Sequence, residues 1–67
     1  MQITINGHLK SFECDKMTIA ELVTYMNLTG KRIAIECNGE IIARSQYEFT
    51  QLSQHDALEI VGAVGGG

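Results

Sequence analysis

The sequence has no proline, no tryptophan, two cysteines and five basic residues among 67. The bases are Lys10, Lys16, Lys31, Arg32 and Arg44, and only Lys31 and Arg32 adjoin. A nucleic-acid backbone needs a basic stripe. A chain of net charge -3 with scattered bases supplies none, so no nucleic-acid partner is expected. Cys14 and Cys37 are too few and too far apart to make a disulfide framework or a metal site on their own. No apolar run exceeds three residues, as in Ile41-Ile42-Ala43, so no membrane-spanning helix is expected. The opening Met1-Gln2-Ile3-Thr4-Ile5 lacks the basic and long apolar regions of a secretion signal. A cytoplasmic location with reduced thiols follows as the expectation. A phosphate-binding loop is also missing. The length allows one domain. A chain of this size buries only about 60% of its unfolded surface, which leaves little room for a ligand cavity of about 300 Å³ or more.

What is present is an ordinary globular mix, 45% hydrophobic and 19% charged, which sets the chain apart from disordered or fibrous sequences. Gln2 to Asn6 alternates, with Ile3 and Ile5 on one face, as a half-buried strand does. Asn6-Gly7 follows, and a two-residue hairpin turn of this kind needs positive φ at both positions. His8 to Glu13 is the expected return strand. Its Leu9 and Phe12 are an odd number of residues apart and cannot share a face without a bulge; Phe12 is the better core residue by size.

Thr18 to Asn27 reads as a helix, because Ile19, Leu22, Val23 and Met26 fall on one helical face. Thr18-x-x-Glu21 is a capping box, and Met17 with Leu22 can form a hydrophobic staple. Asn27 and Gly30 mark its end region. Arg32 to Cys37 alternates again, with Ile33, Ile35 and Cys37 on one face. Asn38-Gly39 is a second hairpin signal, and Glu40 to Ala43 is a short strand. Ser45 to Leu52 reads as a turn or short 3₁₀ piece over the core edge, and Gln54-His55-Asp56 as a turn. Ala57 to Val61 is a last strand with Leu58 and Ile60 inward. Two hairpins, one helix and a final strand make an α+β unit. Placing the first and last strands side by side in the centre gives the β-grasp (ubiquitin-like) arrangement, a mixed sheet of four to five strands crossed by one helix.

The domain is therefore 1–61, and 62–67 is a glycine-rich tail, Gly62-Ala63-Val64-Gly65-Gly66-Gly67. Such a tail is expected to be flexible. Six extended residues reach about 20 Å, far enough to enter a cleft of another protein. Glycine lacks Cβ, so Gly65, Gly66 and Gly67 fit a narrow channel and leave the last carbonyl open to attack. The Gly67 carboxylate is ionised at neutral pH and is a poor acyl donor until it attacks a nucleotide phosphate to form a mixed anhydride. Val61, Ala63 and Val64 beside it are candidate docking positions for the partner.

Over its whole length the chain resembles the ThiS family, the small sulfur carriers of thiamine biosynthesis. The likeness lies in the Met-Gln-Ile opening, the Asn6-Gly7 hairpin, the Thr18-x-x-Glu21-Leu22 helix start, Asn38-Gly39-Glu40-Ile41-Ile42, Arg44-x-x-Tyr47, and Glu59-Ile60-Val61 leading to Val64-Gly65-Gly66-Gly67. Family members often carry proline where this chain has Ala43 and tryptophan where it has Tyr47. The resemblance implies a carrier rather than an enzyme. It implies an E1-like adenylyltransferase of the ThiF type that uses ATP and Mg to adenylate Gly67, with no cofactor bound by this chain. A sulfur donor, such as a cysteine-desulfurase persulfide, then displaces AMP and leaves a Gly67 thiocarboxylate. A thiazole synthase of the ThiG type draws on that sulfur. Two alternatives share the Gly-Gly end: the small subunit of molybdopterin synthase, and a ubiquitin-like modifier joined to lysine.

Other groups have plainer readings. Both cysteines neighbour acids, whereas a reactive thiol needs an electropositive setting; Cys37 shares the Ile33/Ile35 face and belongs to the core. His8 and His55 have no third residue to orient them as a base beside a thiol. Arg44 either orients the hairpin or meets a partner carboxylate. Glu36, Glu40, Glu48, Asp56 and Glu59 form either a steering acidic face or an ordinary solvated surface. One sheet face lacks a helix, and apolar residues there would mark a docking patch.

Overall fold

The structure, a computed structural model, describes residues 1–62. The expected tail residues Ala63, Val64, Gly65, Gly66 and Gly67 lie outside the described residues.

Strands β1 (Gln2–Ile5) and β2 (His8–Ser11) form the first antiparallel hairpin. Its turn holds Asn6 at φ 50° and Gly7 at φ 82°, the left-handed pair that a tight hairpin demands. Strands β3 (Ile33–Cys37) and β4 (Glu40–Ile42) form the second, with Asn38 at φ 53° and Gly39 at φ 86°. The last strand, β5 (Ala57–Gly62), runs parallel to β1 and antiparallel to β3. The sheet order is β2-β1-β5-β3-β4. The first and last strands thus lie side by side at the centre, as the β-grasp arrangement requires.

Helix α1 (Ile19–Tyr25) covers one face. The capping box is complete: the Glu21 amide donates to Thr18 Oγ1 at 3.1 Å, and the Thr18 amide donates to Glu21 Oε1 at 2.8 Å. The helix closes in a Schellman motif. Asn27 takes φ 61°, the Leu28 amide donates to the Val23 carbonyl, and the Asn27 amide donates to the Thr24 carbonyl. The regular helix is therefore shorter than Thr18 to Asn27, because its outer residues serve as caps.

Ile3, Ile19, Leu22, Ile35 and Leu58 are fully buried where sheet and helix meet, and Ile5, Val23, Ile60, Leu52 and Tyr47 complete the core. Each such aliphatic side chain contributes about 1.5–3 kcal/mol on burial. Leu58 and Ile60 point inward as expected. Phe12 packs against the core while Leu9 is exposed. Strand β2 stops at Ser11 rather than Glu13, because β1 offers partners only from Gln2 to Ile5. The Phe12 amide instead bonds the Met1 carbonyl, and the terminal ammonium donates to the Phe12 carbonyl at 2.6 Å. Strands β3 and β4 are each one residue shorter than expected, and β5 is one longer, since Gly62 pairs with Ile33.

The segment between β4 and β5 begins with a 3₁₀ turn at Arg44–Gln46. It does more than lie over the core edge. The Ile19 and Ala20 amides, free at the helix start, donate to the Thr50 and Tyr47 carbonyls at 3.0 Å each. Tyr47 and Leu52 turn into the core, and Phe49 stays exposed.

Candidate functional site: the central strand and the open sheet face

The last described residues belong to the strand at the middle of the sheet. Strand β5 has hydrogen-bonded neighbours on both sides, β1 and β3. The Asn6 side chain adds a two-way bond to Ile60: Ile60 N–H donates to Oδ1 at 2.7 Å and Nδ2 donates to the Ile60 carbonyl at 3.0 Å. At the start of β5, the Ala57 amide donates to Asn38 Oδ1 at 2.9 Å, and Asn38 Nδ2 donates to Asp56 Oδ1 at 2.9 Å. Both hairpin asparagines thus hold the same strand. Val61 and Gly62 are the last described residues. Val61 is 58% exposed. Ala63, Val64, Gly65, Gly66 and Gly67 fall outside the described residues.

Register assigns the residues of the uncovered face. Val61 lies opposite Ala34, Glu59 opposite Glu36, and Glu36 opposite Ile41. Leu9 lies opposite Thr4, which neighbours Ala57. Leu9, Ile41 and Val61 are 65%, 75% and 58% exposed, and all three stand on the face without a helix. Of the five acids considered from sequence, only Glu36 and Glu59 share this face. Like charges directly across a strand pair repel, and a basic partner group would relieve them. Leu9 and Ile41 were not singled out from sequence. The signal for Ile41 was available: Ile41 and Ile42 are adjacent in a strand, so one of them must face outward.

The remaining polar candidates do not converge. His8 opens β2 and is exposed, while His55 sits in the turn before β5 with φ 71°. Both thiols are free and half-buried. Burial pushes the Cys37 thiol above its ordinary range, and the Asp56 and Glu40 carboxylates push it the same way. A thiol held protonated is a poor nucleophile. Arg44 donates to the Lys31 carbonyl at 3.1 Å and so ties the 3₁₀ turn to the loop before β3. No group of three or more metal-ligating side chains is found among the described residues. Nor is any helix there long and apolar enough to cross a membrane.

Comparison with known proteins agrees with this geometry. The ThiS family model matches residues 3–67. The chain is 35% identical over 65 residues to the sulfur carrier protein ThiS of Bacillus subtilis, covering 97% of this chain and 98% of that one. It is 34% identical over 67 residues to a thiazole synthase of Paramagnetospirillum magneticum, but spans only 20% of that protein's length. The crystal structure of a thiamine biosynthesis protein, ThiS, from Geobacter metallireducens superposes with a TM-score of 0.88 at 26% identity, covering all of both chains. The chain belongs to the ThiS family of small sulfur carrier proteins.

Proposed function

We propose that this chain carries sulfur on the Gly67 carboxyl group for thiazole formation in thiamine biosynthesis. The observation that carries the reading is the family match, which spans residues 3–67 and so includes Gly67. An E1-like adenylyltransferase, which holds ATP and Mg, would bind the open sheet face and receive Gly65, Gly66 and Gly67. The carboxylate oxygen attacks the nucleotide's α-phosphorus and pyrophosphate leaves. A persulfide sulfur then attacks the acyl carbon and AMP leaves; a second thiol, the two-electron reductant, attacks the donor's sulfur in the resulting acyl disulfide, leaves as a disulfide with the donor, and frees the thiocarboxylate. Thiazole synthase is the acceptor. The chain supplies an acyl terminus and a docking face and performs no catalysis of its own, and the chemistry takes place in the cytoplasm.

Division of labour explains the docking face. Leu9, Ile41 and Val61 supply apolar contact, and Glu36 with Glu59 attracts a basic group. Ala63 and Val64 would extend that contact towards the reactive end.

The test is a reconstituted assay with adenylyltransferase, ATP and a persulfide donor, read by intact-mass spectrometry. The expected product differs by one oxygen-to-sulfur replacement, localised to Gly67, and deletion of Gly67 abolishes it. Loading that survives the deletion rejects the reading. So does a native-cell sample containing only conjugates to lysine.

A further inference from the structure

Two Asn-Gly pairs turn the hairpins, and they differ in a way that the carrier chemistry does not use. Asn6 holds its amide in a partly buried bond pair with the main chain of Ile60. Both asparagines are exposed residues, but the side-chain bonds of Asn38 are themselves exposed, and its amide nitrogen faces a carboxylate, Asp56 Oδ1, at 2.9 Å. The following residue, Gly39, is exposed and has open space where a Cβ would stand, as does Gly7 after Asn6. An unhindered glycine amide beside an asparagine side chain is the arrangement that favours ring closure.

We propose that Asn38 is a site of spontaneous deamidation, and that its product unlatches the turn holding the start of β5. The Gly39 main-chain nitrogen gives up its proton and attacks the Asn38 side-chain carbon. The bond from that carbon to Nδ2 breaks, and ammonia leaves with the proton. Water then opens the five-membered imide at either carbonyl, giving aspartate or isoaspartate. One water enters and one ammonia departs, with no oxidant or reductant.

The consequence follows from what Asn38 touches. Its Nδ2 donates to Asp56 Oδ1, and its Oδ1 accepts the Ala57 amide. Asp56 Oδ2 also accepts the Ser53 amide at 2.7 Å. In the aspartate product the donor is gone and two carboxylates face each other at hydrogen-bond distance, which like charges oppose. Other titratable groups near this turn are Cys37 and Glu40 of the same hairpin and His55 beside Asp56. Isoaspartate adds a backbone carbon and misplaces the turn itself. Asn6 is the internal comparison, because its two bonds to Ile60 are partly buried whereas the two bonds of Asn38 are open to water.

Peptide mapping of the full chain, aged at mildly alkaline pH, measures the two sites together. Asn38 should convert several-fold faster than Asn6 in the folded protein, while both convert at similar rates in denaturant. Equal folded rates, or conversion at Asn6 first, overturn the proposal. The second measurement uses Asn38→Asp as the product. Its loss of stability should be larger in low salt than in high salt, which screens the exposed pair, and Asp56→Asn in the same chain should remove most of that difference. A loss that is independent of both salt and Asp56 overturns the unlatching step.

Discussion

Asn6 and Ile60 are 54 residues apart in sequence, yet the side chain of one and the main chain of the other exchange two hydrogen bonds of 2.7 and 3.0 Å. A third bond, from the Asn6 amide to the Leu58 carbonyl at 2.9 Å, lies beside them. The residue that turns the first hairpin therefore also fixes the last strand. Asn6→Ala should cost about 1–3 kcal/mol, because it strips partners from partly buried Ile60 groups and places alanine at positive φ. Asn6→Gly relieves the backbone strain and keeps only the first penalty. Urea denaturation of the two variants separates the contributions; equal stability for wild type and Asn6→Gly would show the side-chain bonds to be without net value.

Thr18→Ala removes the Oγ1 acceptor of the Glu21 amide. A loss of about 1 kcal/mol is expected, corresponding to a midpoint shift of about 4–8 °C for a domain of this size. Thr18→Ser should restore most of it. Thermal unfolding followed by circular dichroism reads both.

The Cys37 thiol makes stability depend on alkaline pH. Its folded pKa is raised, by burial first and then by Asp56 and Glu40, above an unfolded value of about 8.5. In the window above that value the folded chain holds more protons than the unfolded chain. The contribution is therefore complete below the unfolded pKa and is lost as pH rises through the folded one. Cys37→Ala should flatten that part of the stability profile. Alkylation of Cys37 near neutral pH should also run slower than that of a free model thiol.

Ile41→Ser and Val61→Thr test the open face. Both side chains are mostly exposed, so stability should change by only about 0.5 kcal/mol. If the face docks the adenylyltransferase, kcat/KM for adenylation should fall about ten-fold for at least one of them. Unchanged kcat/KM in both would place docking elsewhere.

Local chemistry made much of the fold legible. Asn6-Gly7, Asn38-Gly39 and Thr18-x-x-Glu21 each act within four residues, and each appears in the structure where the spacing puts it. Long-range partners were not legible. Nothing near Tyr47 in sequence shows that its carbonyl receives the Ala20 amide, or that Arg44 reaches the Lys31 carbonyl. The open face was half-legible for the same reason. Alternation puts Val61 opposite in sense to Ile60, but register across three strands is what groups it with Ala34, Glu36 and Ile41.

The place of β5 between β1 and β3 also bears on synthesis. The sheet cannot close until β5 has emerged from the ribosome, because its central strand is made after the other four. A prematurely terminated chain that lacks Leu58 and Ile60 is missing the middle of its core and exposes itself to proteolysis. Truncations of that kind cannot accumulate as folded domains. Only a cut beyond Gly62 would escape this proofreading by the fold.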